Sequence, residues 1–591
     1  MVKDACIDAN LGSAVTHEES VPSQGERPDF ATIAKMMHAT QLAEGEEVYA
    51  RLNEDIQHAR EVQEALLFDL LEQNKDTPFG RKYGFADIHT AEEFKRQVPP
   101  TTYDDYAEWI YEVMEHGAQG AITADPTVHF SETSGTMGNP KGIPNTEAAI
   151  KLFLQYTSSY SVALLNREFG SALAGGRKFT LVEVRLKTLK GGATFGAISS
   201  RVMFAFKEML PLMTTSPVEA VFSTPDTDTR YLHARFVLAE QDIRELTAAF
   251  VSQLLDLMRY IEDNAKMLLH DIETGTIDAS VQLPDEVRAS LESRIKPDPQ
   301  RAAQLREAFS EGFDKPVVKR IWPNMMVITT VAGAGFAPYT ERLRRYTGDI
   351  PVYYVGYTAS EGCFSVPFEL NNPQSVLVPE LNYFEFLPLG QADYAHTLGV
   401  EDLEVGKSYE VLVTNRSGLY RYLMRDAIRV TGRRGTMPTI EFLFRIDQTV
   451  NMKGEKTSEM VLRGAADRVA ERCGFELVDF SVYPDLDAQP PRYEFLYELY
   501  HPDFESLDSA EIARVTDEEL RAGNIDMEDM TEDGTFAPAS VRILHEQTYQ
   551  LWRDMRVVHG ASPNQIKPVH IIDTDQKKKF FYALVDDTFE A

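Results

Sequence analysis

The chain has 591 residues, of which 43% are hydrophobic and 26% charged, enough apolar material for a large core and for more than one domain. Asp and Glu outnumber Lys and Arg by 92 to 59, and the resulting formal charge of -33 repels a polyphosphate backbone, which argues against general nucleic-acid binding. Three scattered cysteines, Cys6, Cys363 and Cys473, supply neither a disulfide framework nor a paired metal motif and fit a reducing cytoplasm. The polar, acidic amino terminus lacks a signal-peptide core, and the longest apolar stretch, 325–338, is too short to cross a bilayer, so no membrane association is expected.

Residues 1–30 mix Ser, Pro, Gly, Asp and Glu without periodicity and read as a loose tail. From 40 to 73, Leu42, Val48, Leu52, Ile56, Val62, Leu66 and Leu70 recur at helical spacing and predict one amphipathic helix. Helical periodicity returns at 243–272, ending near Gly275, and at 284–313 with a Pro-Asp-Pro break at 297–299. Short runs rich in Val, Ile, Thr and aromatics predict strands at 180–184, 326–331, 352–355, 382–386 and 409–414. Helices and short strands alternating over this length indicate a mixed α/β (α+β) body. After Pro438 the pattern restarts with a strand at 440–444, a helix at 458–472 and strands near 477–482 and 493–499. The expected division is therefore a tail (1–30), a large domain (31–445) and a small, mobile α+β domain (446–591), hinged near 445–447.

The richest stretch chemically is SETSGTMGNPKGIPNT at 131–146. Thr133, Ser134 and Thr136 offer hydroxyls, Gly135 and Gly138 let backbone approach an anion, and Lys141 adds a cation, a set suited to a polyphosphate. A Gly/Pro turn between two elements is the ordinary reading of such a composition. It is not a Walker loop, since the Gly-Lys-Ser at 406–408 has Glu401 where the first glycine belongs. There is no HExxH, CxxC, GxSxG or complete GxGxxG, which disfavours metalloprotease, serine hydrolase and dinucleotide chemistry.

The order of residues in TSGTMGNPKG at 133–142 resembles the phosphate loop of the adenylate-forming superfamily. TPFGRKYGF at 77–85, EEFKRQVPPTTYDDY at 92–106, GGA at 191–193, VVKRIWPNM at 317–325, YTASEG at 357–362 and GLYRYLMRDAIRVTG at 418–432 narrow the match. They follow the order found in the Gretchen Hagen acyl-acid amido synthetases, which conjugate auxin, jasmonate or benzoates to amino acids. The resemblance runs over about residues 40–591 and implies a large adenylating domain with a small C-terminal lid.

That resemblance assigns roles. Thr133, Ser134, Gly135, Thr136 and Lys141 would hold phosphates, Gly333, Ala334 and Gly335 would lie against the purine, and Tyr357, followed by Thr358, would stack on adenine. Glu361 would hold Mg²⁺, usually bound by one or two carboxylates plus substrate phosphates. Asp426 would accept the ribose hydroxyls, Arg445 would reach the ribose, and Lys567, in GASPNQIKP at 560–568, stands where the superfamily keeps its adenylation lysine. Read without the family, the VAGAG loop is as well a tight turn, Tyr357 a core residue, Glu361 a solvated acid, Arg445 a strand-end cation and Lys567 a surface lysine. Lys453 and Lys456, near the hinge, read as a solvated turn. The chain departs from the family at Arg425, which replaces a glycine before Asp426 and either clamps a substrate anion or draws Asp426 away from the ribose.

The function expected is activation of a small carboxylic acid with Mg·ATP to an acyl-AMP, then transfer to an amine such as an amino acid, with no obligatory protein partner. Two alternatives stay open: a coenzyme A or carrier-thiol ligase sharing the first step, and a non-catalytic nucleotide or acyl-ligand binding protein in which Arg425 marks decay. The acid-binding pocket is expected on scattered helix positions, including the stretch 231–238.

Overall fold

The computed structural model describes residues 30–133, 141–331, 337–446, 449–450, 452–453, 455, 457–502, 507–561, 563 and 566–586. Two helices, α1 (Phe30–Asp55) and α2 (Ala59–Asn74), open the fold where one helix is predicted. The break comes from a distant segment: Thr436 donates both its amide (2.7 Å) and its hydroxyl (3.0 Å) to the Ile56 carbonyl, and its hydroxyl accepts from the Ala59 amide at 3.1 Å. A tertiary partner thus satisfies the helix-end groups that a continuous helix would have paired internally.

Strands β1 (Thr127–Glu132), β2 (Gly142–Thr146), β3 (Arg177–Leu181), β4 (Leu186–Thr188), β5 (Thr194–Gly196), β6 (Ile243–Phe250), β7 (Val327–Val331) and β8 (Val352–Tyr354) form two sheets. One has the order β2-β1-β5-β4; the other, β3-β6-β7-β8, is wholly parallel. Between the helices α3 (Thr229–Ala239) and α4 (Val251–Asp263) residues 243–250 form β6, so the helical periodicity expected from 243 begins only at Val251. A strand inside a parallel sheet is covered on both faces, so it lacks a clean two-residue alternation and merges in sequence with the helix that follows. In the stretch 231–238, Tyr231, Leu232, Ala234, Val237 and Leu238 are fully buried in the core beside this sheet, with the Tyr231 hydroxyl on Asp271 at 2.6 Å.

A short hairpin, β9 (Thr358–Ala359) with β10 (Gly362–Cys363), precedes a six-stranded antiparallel sheet. Its strands are β11 (Ser365–Pro367), β12 (Ser375–Leu377), β13 (Asn382–Pro388), β14 (Ser408–Asn415), β15 (Tyr422–Arg434) and β16 (Met437–Arg445), ordered β11-β12-β16-β15-β14-β13. Beyond the two-residue pair β17 (Thr449–Val450) and β18 (Thr457–Ser458), the C-terminal unit packs a helix, Glu459–Cys473, on the sheet β19-β20-β21 (Leu477–Asp485, Arg492–Leu499, Ser540–Leu544). No helix among the described residues is long and apolar enough to cross a membrane.

Two stretches separated by more than three hundred positions close on each other. Thr101 donates its amide to the Arg421 carbonyl (3.0 Å) and accepts from the Leu423 amide (2.9 Å), while its hydroxyl donates to the Tyr420 carbonyl at 2.7 Å. The Arg421 side chain, 1% exposed, pairs with the equally buried Glu385 at 2.9 Å and donates to the carbonyls of Lys95, Val98 and Tyr394. Removing one partner of such a pair strands the other charge, at a cost of about 3–5 kcal/mol. Arg421→Met should therefore lower the urea midpoint sharply, and Arg421→Met/Glu385→Leu should recover much of it; equal midpoints for wild type and the single variant would contradict the assignment.

Candidate functional site

The C-terminal ends of parallel strands point into a crevice, the usual place for ligands in open α/β sheets. β7 runs into 332–336 and β8 into Tyr357, so Gly333, Ala334 and Gly335, together with Ser134, Gly135 and Thr136, belong to segments outside the described residues. Their flanks are defined. The Thr133 amide donates to the Lys141 carbonyl at 2.9 Å, closing the neck of the 133–142 loop, and Lys141 Nζ stands 5.0 Å from the centre of the Tyr103 ring. The Tyr103 hydroxyl accepts from the Gly142 amide at 3.3 Å. Thr133 Oγ1 is buried and has no hydrogen-bond partner among the described residues, which fits an oxygen-rich ligand at the loop.

Gly356 permits the turn out of β8: its φ is +87°, and a Cβ there would meet the Ser365 carbonyl oxygen at 2.4 Å. The next residue, Tyr357, is buried with its ring against Phe364 and Phe442 (centroids 4.6 and 5.6 Å) and donates its hydroxyl to Asp426. The ring packs among core aromatics, and its hydroxyl fixes the Asp426 carboxylate. Thr358 lies in β9, and Glu361 occupies the β9–β10 turn. Ser360 donates its hydroxyl to the Glu132 carbonyl at 2.9 Å, tying this turn to the strand that leads into the phosphate-type loop.

Asp426 on β15 stands in register with Arg445 on β16, and the guanidinium Nε lies 3.2 Å from Asp426 Oδ1. Arg425 turns the other way, to Glu410 (3.2 Å) and the Tyr394 hydroxyl (3.4 Å) on neighbouring elements. Its φ of +56° is the left-handed backbone a glycine adopts without cost, which is the conformational reason a glycine suits this position. Burial and Asp426 hold the Glu361 carboxyl above its usual range, against the opposing pull of Arg445 and Lys567. An acid so placed gains from a divalent cation, so Glu361 and substrate phosphates fit a Mg²⁺ site, while the described residues contain no cluster of three or more ligating side chains.

Lys567 completes the group. Solvent reaches it, yet protein flanks it closely: burial and Arg445 push its ammonium below the ordinary value, while Asp426, Glu459 and Glu361 pull it up. It thus shares one electrostatic field with three of the expected site residues, from a segment more than a hundred positions downstream. Three residues later His570 anchors that segment, with its carbonyl accepting from Val482 (2.9 Å) and its ring bonded to Asp479 (3.0 Å) and Glu459 and stacked on Phe480 at 4.7 Å. Sequence reasoning missed Tyr103 and His570. A tyrosine in PPTTYDDY and a histidine beside the lysine were the available signals, and neither residue type alone specifies a role.

Models of the GH3 family N-terminal, central and C-terminal domains match residues 48–352, 375–445 and 459–576. The chain belongs to the GH3 family. A probable indole-3-acetic acid-amido synthetase of Arabidopsis thaliana is 27% identical over 538 residues, covering 87% of this chain and 90% of that protein. A jasmonoyl–L-amino acid synthetase of Nicotiana attenuata is 27% identical over 474 residues, covering 77% and 81%. The solved GH3.15 acyl acid amido synthetase superposes with a TM-score of 0.79 at 22% identity over 96% of this chain and 98% of that one. A 2-hydroxyisobutyryl-CoA ligase structure matches at 0.51 and 10% identity over 88% and 90%, so this GH3 chain has the adenylate-forming fold.

In this GH3 chain the lysine mount is pH-sensitive. Burial and Arg463 push the His570 imidazolium down, but Asp479 and Glu459 outweigh them and hold its pKa above the ordinary value. A raised folded-state pKa gives stability that is full below about pH 6.5 and lost as pH rises through the folded value. The melting-temperature gap between wild type and His570→Gln should therefore be widest at acid pH and shrink as pH rises; a gap that widens with pH would refute the assignment.

Proposed function

We propose that the chain is an ATP-dependent acyl-acid amido synthetase that activates a small carboxylic acid as an acyl-AMP and passes the acyl group to the amine of an amino acid. The observation that carries this is the shared field of Lys567, Glu361, Asp426 and Arg445 beside the neck of the 133–142 loop. The named relatives are amido synthetases, which favours an amine over a thiol as acceptor. A small recess of about 30 Å³ lies next to Glu361, walled by Leu152, Phe153, Asn145, Asn415 and Arg416.

In the first step a substrate carboxylate oxygen attacks the α-phosphorus of ATP, and the bond to pyrophosphate breaks. Lys567 offsets negative charge on the moving phosphate oxygens, and Lys141 with Thr133 holds the tail. Asp426, oriented by Tyr357 and Arg445, accepts the ribose hydroxyls. Glu361 would hold Mg²⁺, which neutralises phosphate charge when bound. In the second step the amine attacks the acyl carbon, AMP leaves and the nitrogen loses a proton. The small domain, hinged near 445–447, moves Lys567 aside between the steps. The free thiols of Cys363 and Cys473 suit the reducing cytoplasm in which we place the enzyme.

The decisive assay is acid-dependent exchange of labelled pyrophosphate into ATP over a panel of aryl, indole and short-chain acids. Exchange with one class is expected; ATP binding with silence across all classes would support a binding protein instead. Lys567→Ala should slow adenylation about 100-fold while sparing amide formation from supplied acyl-AMP, and equal losses in both would remove its role. Asp426→Asn should raise the KM for ATP about tenfold, the loss of one charge-assisted hydrogen bond; unchanged KM would take the ribose off this residue.

A further inference from the structure

Directly after the small-residue segment 332–336 the chain enters the helix α5 (Ala337–Thr347). Three of its residues spaced one turn apart, Tyr339, Arg342 and Arg345, face the C-terminal unit. The Tyr339 hydroxyl donates to Asp479 Oδ2 at 2.8 Å, Arg342 donates to Asp467 at 2.8 Å and to the Val478 carbonyl at 3.4 Å, and Arg345 donates to Glu476 at 3.0 Å. These contacts join two bodies with separate cores.

Asp479 is the point where this face meets the lysine mount. Its second oxygen, Oδ1, is 3.0 Å from His570 Nε2, so one buried carboxylate binds Tyr339 of the N-terminal body and the histidine three residues after Lys567. Arg463 fills the remaining side, with its guanidinium 4.9 Å from the Tyr339 ring centre and 5.3 Å from that of Phe480. A phenol has one donor and few rotamers, so its bond to Asp479 forms only in one relative placement of the two bodies. In that placement Lys567 lies in the field of Glu361 and Asp426.

We infer that Tyr339 is a positioning residue for adenylation: through Asp479 and His570 it holds Lys567 over the nucleotide site, and it contributes nothing to amide transfer, in which the lysine has no part. This rests on the adenylating reading of Lys567 given above. A purely structural tyrosine would move both half-reactions together, whereas a positioning tyrosine divides them. It should also act on kcat and leave KM for ATP alone, because the groups proposed to bind ATP, apart from the lysine, stand on the N-terminal body.

The test uses the full chain and the acid found active in pyrophosphate exchange. Tyr339→Phe should lower exchange kcat about tenfold, keep KM for ATP within about twofold, and leave amide formation from supplied acyl-AMP within about twofold of wild type. Arg342→Gln, which breaks the next contact of the same face, should show the same split and serves where Tyr339→Phe fails to fold. Unchanged exchange, equal falls in both half-reactions, or a raised KM with unchanged kcat would each overturn the proposal. Lys567→Ala assayed in parallel separates the two readings: if it leaves exchange intact the lysine assignment fails, and if it abolishes exchange while Tyr339→Phe and Arg342→Gln do not lower it, only the positioning role fails.

Discussion

The buried ion pair between Arg421 and Glu385 is the constraint on which the proposed nucleotide side of the molecule depends. A guanidinium out of water is tolerated only when nearly every donor has an acceptor, and here the acceptors are a carboxylate and three backbone carbonyls from segments far apart in sequence. That requirement fixes the path of the chain through Tyr420 and Tyr422. From there β15 carries Asp426 into register with Arg445, and Tyr357 closes on the carboxylate from the β8 side. The site is thus hung between two sheets, and neither sheet alone contains it.

The proposed site sets a local charge pattern against that of the whole molecule. With a formal charge of -33, the protein as a whole repels an anionic substrate. At physiological ionic strength, however, the screening length is about 8 Å, so exposed acids farther away count for little while flanked charges act almost unscreened. Lys141, Arg445 and Lys567 are the cations proposed to meet the phosphates, and the acids proposed beside them, Glu361 and Asp426, are the ones assigned to a cation and to sugar hydroxyls. Local geometry decides the preference for an anion where total composition points the other way.

Much of this was legible in the chain. The alternation of helices and strands gave the mixed fold, and the segment order around TSGTMGNPKG pointed to the family whose models match. What escaped had physical causes. β6 is covered on both faces and so imitates the start of α4, and the break between α1 and α2 is made by Thr436, which no local window contains. The burial of Tyr357 was not legible either, because it depends on Phe364 and Phe442 rather than on its own neighbours in sequence. Arg425 could be read either as a clamp or as a rival for Asp426; only the backbone turn at φ +56° shows that its side chain leaves toward Glu410. Asp479, His570 and Tyr339 are single residues of common types, and only their meeting in space gives them meaning.

The placement of Lys567 at the far end of the chain has a consequence for biogenesis. Domains fold as units during synthesis, beginning at the amino terminus. The six-stranded sheet, the loop neck at Thr133 and Lys141, and the Glu361 turn are all complete before the ribosome has made the helix Glu459–Cys473 or the lysine segment. A nascent chain therefore acquires its proposed nucleotide cleft well before it acquires the cation proposed to drive the reaction. On the proposed mechanism an unfinished molecule cannot make the reactive mixed anhydride at full rate, and vectorial synthesis itself keeps that activity low until the last segment docks.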